Sequence, residues 1–354
     1  MGGAPSDLCY VVAIAQSALG LHHAASHGDV GHGLVYFAWF NSAYDNDDVI
    51  NRLLTLLQVF GSLVLAAGIS RMFDGDFLLG VTGYTIMRVG LILMWLRAAA
   101  GHPERRRTAL RYAVGLALVQ VLWIAFLTAN GGFLLPVFVV FAIGDFGVPF
   151  FAERAGQTPW HPHHIAERYA LFFIIVLGET VLSSTIAIQE AIDGENPSKN
   201  LIYVVIGGVL IIFSVWWLYF AREYGKILSG NNVAFVWGSG HYVIFGAGAA
   251  LGAGLAVRVD YYGHEAHISE LTSAAFVTVP VAMFLAALWF FCVRMADPSI
   301  RTWGPFLAAI AAVGLATFGP KPELLAGLIC VALLVVELRL THDGAAVEQR
   351  GETV

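Results

Sequence analysis

The chain has 354 residues, of which 58% are hydrophobic and only 12% are charged, and its formal net charge at pH 7 is -6. Soluble domains carry about 25% charged residues, so this composition excludes a protein whose whole surface faces water. No basic tract is interleaved with aromatic residues, so nucleic acid is not an expected partner. The mean hydropathy of +0.72 indicates a lipid environment instead.

Apolar segments of about 20 residues follow one another along the chain. A helix of about 20 residues crosses a hydrocarbon core of about 30 Å. We therefore predict an all-α, polytopic bundle of about 12 spans in the lipid bilayer, in which the short segment 30–44 is a partial or tilted span. The segments lie near residues 7–24, 30–44, 53–70, 77–97, 110–128, 132–151, 165–190, 201–221, 234–257, 270–294, 303–318 and 323–340.

The lysines and arginines predict the orientation of these spans. The loop at 102–111 is strongly basic, and counting spans places it on the same side as 221–228 and 294–301. An excess of Lys and Arg marks cytoplasmic loops. We therefore expect these loops and both termini to lie in the cytoplasm.

Three pairs of similar strings occur in the same order in the two halves of the chain. They predict two parallel repeats of six helices, because halves with an even number of spans have the same topology. The predicted division is 1–160 and 161–341, followed by a cytoplasmic tail at 342–354. The pairs are 10–19 with 173–182, 37–45 with 215–223, and 59–69 with 244–254.

The residues at 164–183, HIAERYALFFIIVLGETVLS, together with 44–69 and 7–16, resemble the bacterial low temperature requirement protein A family. The resemblance implies a multi-pass protein of the bacterial cytoplasmic membrane, but it implies no reaction. Members usually open with Glu-Leu-Phe-Phe-Asp-Leu, whereas here residues 4–6 are Ala-Pro-Ser. Only Asp7 carries over from the acidic pair of that element.

Glu179 lies midway along the segment 165–190, beside Gly178. A charge at the centre of a membrane helix costs at least about 2.5–3.5 kcal/mol, so such a residue usually has a function or a partner. We predict that Glu179 is a carboxyl group that exchanges protons. The alternative is a neutral or hydrogen-bonded carboxyl that only holds helices together.

Asp145 and Arg88 are also charged residues at membrane depth. Two glycines and Pro149 flank Asp145 and predict a broken or kinked helix, although close helix packing explains them equally well. Arg88 cannot lose its proton, so it needs a carboxylate or a watery cavity. The expected partner of Arg88 is Asp145 or Glu179.

Asp45, Asp47 and Asp48 form the densest charge cluster of the first half. Aspartates at this position can cap the helix that follows them. Alternatively, Asn41, Tyr44 and Asp45 form a cytoplasmic entrance for a cation or a proton. No loop here has the spacing of a calcium site.

The pair Glu167 and Arg168 begins the helix that carries Glu179. Glutamate suits the first turn of a helix, and arginine can reach towards headgroups. The candidate midplane site consists of Glu179, Asp145, Arg88 and His241. Residues that could form its entrance or support its side chains are Asp7, Asn41, Asp45, Asp48, Glu167 and Arg168.

Twelve histidines raise the possibility of a metal. Seven of them fall in two clusters, at residues 22–32 and 161–164. Neither cluster has an HExxH or paired CxxC pattern, so no metal site is predicted and solvated loops are expected. His241, which lies beside glycines in a span, is a candidate proton relay or a helix-packing residue. The clustered histidines are His22, His23, His27, His32, His161, His163 and His164.

Two parallel halves with ionisable residues at the midplane favour a secondary transporter or permease that moves a small solute and is coupled to protons. The sequence identifies neither a substrate nor a cofactor. The absence of a GxxxxGK[ST] loop argues against phosphate-driven pumping. The alternatives are a membrane-embedded enzyme that acts on lipid or a redox cofactor, and a non-catalytic scaffold.

Overall fold

A computed structural model describes most of the chain, and every regular element in that part is helical. The all-α prediction is therefore confirmed. The chain divides into two compact units, residues 1–168 and 169–354. The described residues are 40, 43–44, 48–128, 134–193, 198–228, 230–264, 266–296 and 299–351.

The first unit contains four described helices, each packed on the next. Helices α1 and α2 form a hairpin that reverses at Asp74 and Gly75, where Gly75 has a φ of 85°. A short 3₁₀ turn precedes α3. The elements are α1 Val49–Phe73, α2 Leu78–Gly101, the 3₁₀ turn Pro103–Arg105, α3 Arg106–Phe126 and α4 Leu134–Glu153.

Glycines bring the backbones of α1 and α2 into contact. A Cβ atom added to Gly68 would lie 2.6 Å from the amide nitrogen of Gly80, and one added to Gly61 would lie 2.8 Å from the carbonyl oxygen of Gly83. No larger residue fits at these crossings. This close packing to α1 sets the rotation of α2 about its own axis. It therefore also sets the direction in which Arg88 points.

Helix α5 begins in the first unit and lies mostly in the second, where α7 packs on α8 and α6 packs on α10. Helix α8 continues into a π-helical turn and a last short helical segment. The elements are α5 Pro162–Asp193, α6 Leu201–Phe220, the 3₁₀ turn Tyr224–Lys226, α7 Asn231–Tyr262, α8 Glu270–Leu288, the π turn Trp289–Val293, the segment Arg294–Ala296, α9 Ile300–Ala316 and α10 Pro322–Gly351.

Seven segments of the described chain are long and apolar enough to cross a membrane. They expose large apolar side chains such as Leu118 and Phe213, which suit contact with lipid. The chain is thus a polytopic membrane protein. The segments are Val49–Met72, Leu78–Gly101, Pro103–Phe126, Pro162–Asp193, Leu201–Lys226, Asn231–Tyr262 and Glu270–Ala296.

The figure of about 12 spans in two repeats goes further than these seven segments and stays a prediction. The predicted spans at 7–24 and at most of 30–44 lie outside the described residues. Predicted spans 303–318 and 323–340 fall on α9 and α10. Helix α10 also continues to Gly351, into the residues predicted as the tail.

The glycines of α7 make a direct test of helix packing. A Cβ atom on Gly254 would lie 1.8 Å from the carbonyl oxygen of Phe276 on α8, whereas one on Gly246 would have nothing within 4 Å. Alanine is the better helix former by about 1 kcal/mol. We expect Gly254→Ala to lower the melting temperature in detergent, and Gly246→Ala to leave it unchanged or raise it. Equal melting temperatures for the two variants would contradict this packing.

Candidate functional site

A buried polar cluster lies in the interior of the first unit. Arg88 and Tyr84 come from α2, Trp123 comes from α3 and Asp145 comes from α4. Only 3% of Arg88 and 8% of Asp145 is exposed. Arg88 is near the middle of its helix, so the charged group sits deep in a candidate span.

Asp145 accepts hydrogen bonds from all three other members of the cluster. Its Oδ1 atom lies 2.5 Å from Nη2 of Arg88. Its Oδ2 atom accepts from the hydroxyl of Tyr84 and from Nε1 of Trp123, each at 2.9 Å. Arg88 also donates to the hydroxyl of Tyr84, and its guanidinium lies 4.7 Å from the centre of that ring. One carboxylate thus neutralises the arginine and gathers three donors.

The local sequence explains why these groups meet. Tyr84 and Arg88 are four residues apart, so they share one face of α2. Helix α4 runs without interruption through Asp145 and Pro149, so the helix is not broken there, and a kink stays a prediction. Pro149 lacks an amide hydrogen and supplies no helical bond to the carbonyl of Asp145, but the helix tolerates this single loss.

The predicted pairing of Arg88 with a deep carboxylate is confirmed, and the partner is Asp145. Glu179, the other candidate, belongs to the second unit. The sequence reasoning missed Tyr84 and Trp123. The tyrosine had a readable signal, because it lies one helical turn before a buried arginine; the tryptophan had none.

Glu179 occupies the middle of α5 and is partly exposed. Its Oε1 atom accepts a hydrogen bond from the Ser183 hydroxyl at 3.3 Å. No cationic side chain in the described part of the chain forms an ion pair with it. A Cβ atom on the neighbouring Gly178 would have nothing within 4 Å, so the helix surface next to Glu179 is open at that position.

His241 is fully buried in α7, and both of its ring nitrogens have partners. Nδ1 lies 2.8 Å from the carbonyl oxygen of Trp237, which can only accept, so Nδ1 carries the hydrogen. Nε2 lies within hydrogen-bond distance of the Tyr219 hydroxyl, at 3.0 Å. Tyr169 and Phe245 pack around the ring. These contacts suit a histidine held in the packing of the second unit, and the role of proton relay stays a prediction.

Two of the candidate entrance residues, Asp48 and Tyr44, have described positions in the first unit. Asp48 accepts from the amide of Asn51 at 2.8 Å, so it caps α1, and it also pairs with Arg97. The Arg97 guanidinium lowers the pKa of Asp48 to about 2, so this carboxylate is ionised at neutral pH. Tyr44 is buried.

No hydrogen bond or ion pair described in the structure joins the remaining entrance candidates to one another. Helix α5 begins at Pro162, so Glu167 and Arg168 lie in its second turn and the expected first-turn position of Glu167 is wrong. Glu167 is exposed and Arg168 is partly buried. Asp7, Asn41 and Asp45 lie outside the described residues. Their roles stay predictions.

A second buried arginine cluster, which the sequence reasoning missed, lies in the second unit. Nε of Arg258 donates to Glu323 at 2.9 Å, and both side chains are 0% exposed. The same guanidinium donates to the hydroxyls of Ser273 and Tyr262, at 3.0 and 2.7 Å. Tyr262 in turn donates to Glu323 at 3.0 Å. Little signal was available in the sequence, because Arg258 stands at the end of an apolar run, where a charged residue is usually solvated.

Another ion pair joins Arg222, just after α6, to Glu337 of α10 at 2.6 Å. Gly207 of α6 lies against the backbone of Glu323 near the start of α10. Because Arg222 then meets Glu337 farther along α10, the two helices run parallel. Glu323 and Glu337 are 14 residues apart, about 21 Å along a helix. The Arg258–Glu323 pair therefore joins α7 to the start of α10, and the Arg222–Glu337 pair joins the end of α6 to a point farther along α10. Both positions suit a structural role.

The histidines that are described do not converge. The rings of His161 and His164 are 5.6 Å apart, and both side chains are exposed, like that of His163. The described residues include no group of three or more metal-binding side chains. The cluster at residues 22–32 lies outside them.

Three proteins from two bacteria are similar to this chain. An uncharacterized protein of Rhizobium meliloti (strain 1021) is 25% identical over 233 residues, covering 60% of this chain and 56% of that protein. Two proteins of Xylella fastidiosa, from strains 9a5c and Temecula1, are 31% and 30% identical over 140 residues, covering 38% of this chain and 52% of each relative. Both bear the name "Probable membrane transporter protein".

The chain spans about half the length of these curated relatives. No solved structure matches it. Residues 6–337, nearly the whole chain, match the family described as "Bacterial low temperature requirement A protein (LtrA)". The helical membrane architecture described above agrees with that match, and the chain belongs to the LtrA family.

Proposed function

We propose that this protein is a secondary transporter or permease for a small solute, coupled to protons, in the bacterial cytoplasmic membrane. The observation that carries the proposal is the Arg88–Asp145 pair, buried near the middle of a candidate span. Charged groups at this depth are costly and commonly mark substrate or ion pathways. The names of the two Xylella relatives support the same direction.

Glu179 is the proposed proton-exchanging carboxyl. It lies mid-helix, is partly exposed, and forms no ion pair with a described cation. A carboxyl group that already neutralises an arginine is less suited to this task while no anion is bound, because protonation would then leave the guanidinium uncompensated. Glu179 can gain and lose a proton without that penalty.

Solute uptake by proteoliposomes tests the transporter proposal. Purified wild-type protein should accumulate at least one labelled solute from a panel when an inward proton gradient is imposed, and Arg88→Gln should not. Arg106→Gln is the matched control, because Arg106 is exposed at the start of α3. Uptake by the wild type no greater than that of empty liposomes, across acids, bases and neutral solutes, would contradict the proposal.

Both termini are proposed to lie in the cytoplasm. Cysteine labelling can test this orientation, because the native Cys292 and Cys330 are buried and Cys9 can be replaced by serine. Arg106→Cys in the basic loop should react only after the membrane is permeabilised, whereas His267→Cys should react with an impermeant maleimide in intact cells. The reverse pattern would overturn the orientation.

A further inference from the structure

We infer that the solute held by the Arg88 cluster is a small carboxylate, which takes the place of the Asp145 side chain while Asp145 takes up one proton. This inference rests on the proposed function and names its substrate class. The observation behind it is that the cluster already holds a carboxylate. Asp145 shows how two carboxylate oxygens fit among Arg88, Tyr84 and Trp123.

The hydrogen-bonding inventory of the cluster favours an anion. A guanidinium and an indole can only donate hydrogen bonds, and a tyrosine hydroxyl has one hydrogen to give. All three groups are directed at Asp145. A cation in the same place would face these donors and the fixed charge of Arg88, with Asp145 already engaged. A bound carboxylate would accept hydrogen bonds from Arg88, Tyr84 and Trp123 once the Asp145 side chain has moved away from them.

Charge balance requires the proton. The pair of Arg88 and Asp145 is neutral overall, and adding an anion would put two negative charges beside one guanidinium at membrane depth. If a proton from the aqueous phase is added to an oxygen of Asp145, the site again has one positive and one negative charge. Each carboxylate bound is therefore accompanied by one proton, and no bond within the solute changes.

The groups around Asp145 are consistent with this exchange. From α2 it faces the charged Arg88 and the titratable Tyr84, and from α3 it faces Trp123, which does not titrate. The other acidic group of α4, Glu153, is bonded to the hydroxyl of Tyr112 at 3.0 Å. Glu153 is eight residues along α4, about 12 Å away.

Titration calorimetry on the purified protein in detergent tests the inference without any flux. The probes are sodium carboxylates of two to six carbons, mono- and dibasic, each compared with its neutral amide. Measurements in two buffers of different ionisation enthalpy give the number of protons taken up. We expect the wild type to bind at least one carboxylate about tenfold or more tightly than its amide, with uptake of one proton for each molecule bound.

Variants separate the roles of the cluster. In Asp145→Asn, carboxylate affinity should no longer depend on pH and proton uptake should fall to zero. Trp123→Phe keeps both charges, so it tests the inference if Asp145→Asn does not fold, and it should weaken carboxylate binding about fivefold to tenfold by removing one donor. Unchanged affinity in Trp123→Phe, or release of protons on binding to the wild type, would overturn the inference.

The outcomes also distinguish this inference from the proposed function. Proton-driven uptake of a cation or a neutral solute that requires Arg88, with no carboxylate bound better than its amide, would overturn the carboxylate and leave the transporter proposal standing. Carboxylate binding with one proton taken up, but without flux in liposomes, would support the binding site and contradict the transporter.

Discussion

Asp145→Ala should lower the free energy of unfolding by about 3–5 kcal/mol, because it leaves a guanidinium buried without its carboxylate. Arg88 is 3% exposed and cannot lose its proton. The variant also removes the acceptor of the Tyr84 and Trp123 donors. Equilibrium unfolding of the purified protein in mixed micelles measures the change.

The double variant Arg88→Leu with Asp145→Ala is the informative control. It removes both charges, so no buried ion is left uncompensated, and its loss of stability should be smaller than that of Asp145→Ala alone. A double variant at least as unstable as the single one would contradict a neutralising pair. Small carboxylates should also stabilise Asp145→Ala, since they supply the missing negative charge.

Glu179→Gln should abolish function while leaving the amount of protein in the membrane unchanged. Glutamine keeps the size and hydrogen-bonding capacity of the side chain but cannot titrate. Glu179 forms no ion pair with a described cation, so its neutralisation leaves no described charge uncompensated. Growth in the cold of a strain that lacks its own family member, rescued by the plasmid-borne gene, reports function, and an immunoblot of membranes reports abundance.

Glu167→Gln makes a matched control, because Glu167 is exposed near the start of the same helix. It should support cold growth at the wild-type level. Full rescue by Glu179→Gln at normal abundance would refute the proton-exchange role. Loss of Glu179→Gln from the membrane would contradict the claim that this residue has no structural task.

The helices were predictable because an apolar run of about 20 residues matches the thickness of the hydrocarbon core. The pairing of Arg88 was also predictable, since a buried guanidinium must be neutralised. The choice between Asp145 and Glu179 was not predictable, because it depends on which helix faces α2, and that is a matter of tertiary packing. Arg258 and Glu323 were missed for a similar reason. Each stands near the end of a helix, where a charge is unremarkable until its burial is known.

The glycine-rich string in α7 shows the same limit. A glycine-rich run inside an apolar segment, such as 246–254, is typical of close helix packing, but it marks every glycine alike. In the structure Gly252 and Gly254 meet α5 and α8, but Gly246 has open space beside its Cα. The direction in which a glycine points follows from the neighbours of the helix, and only the fold supplies those.

Proton movement in proteoliposomes tests the central claim most directly, that buried ionisable groups couple solute movement to protons. A pH-sensitive dye trapped inside vesicles would report protons that enter when a transported solute is added outside, with potassium and valinomycin clamping the membrane potential. The wild type should acidify the vesicle interior, while Glu179→Gln and Arg88→Gln should not. Acidification by Glu179→Gln at the wild-type rate, or solute uptake by the wild type without any acidification, would contradict the account.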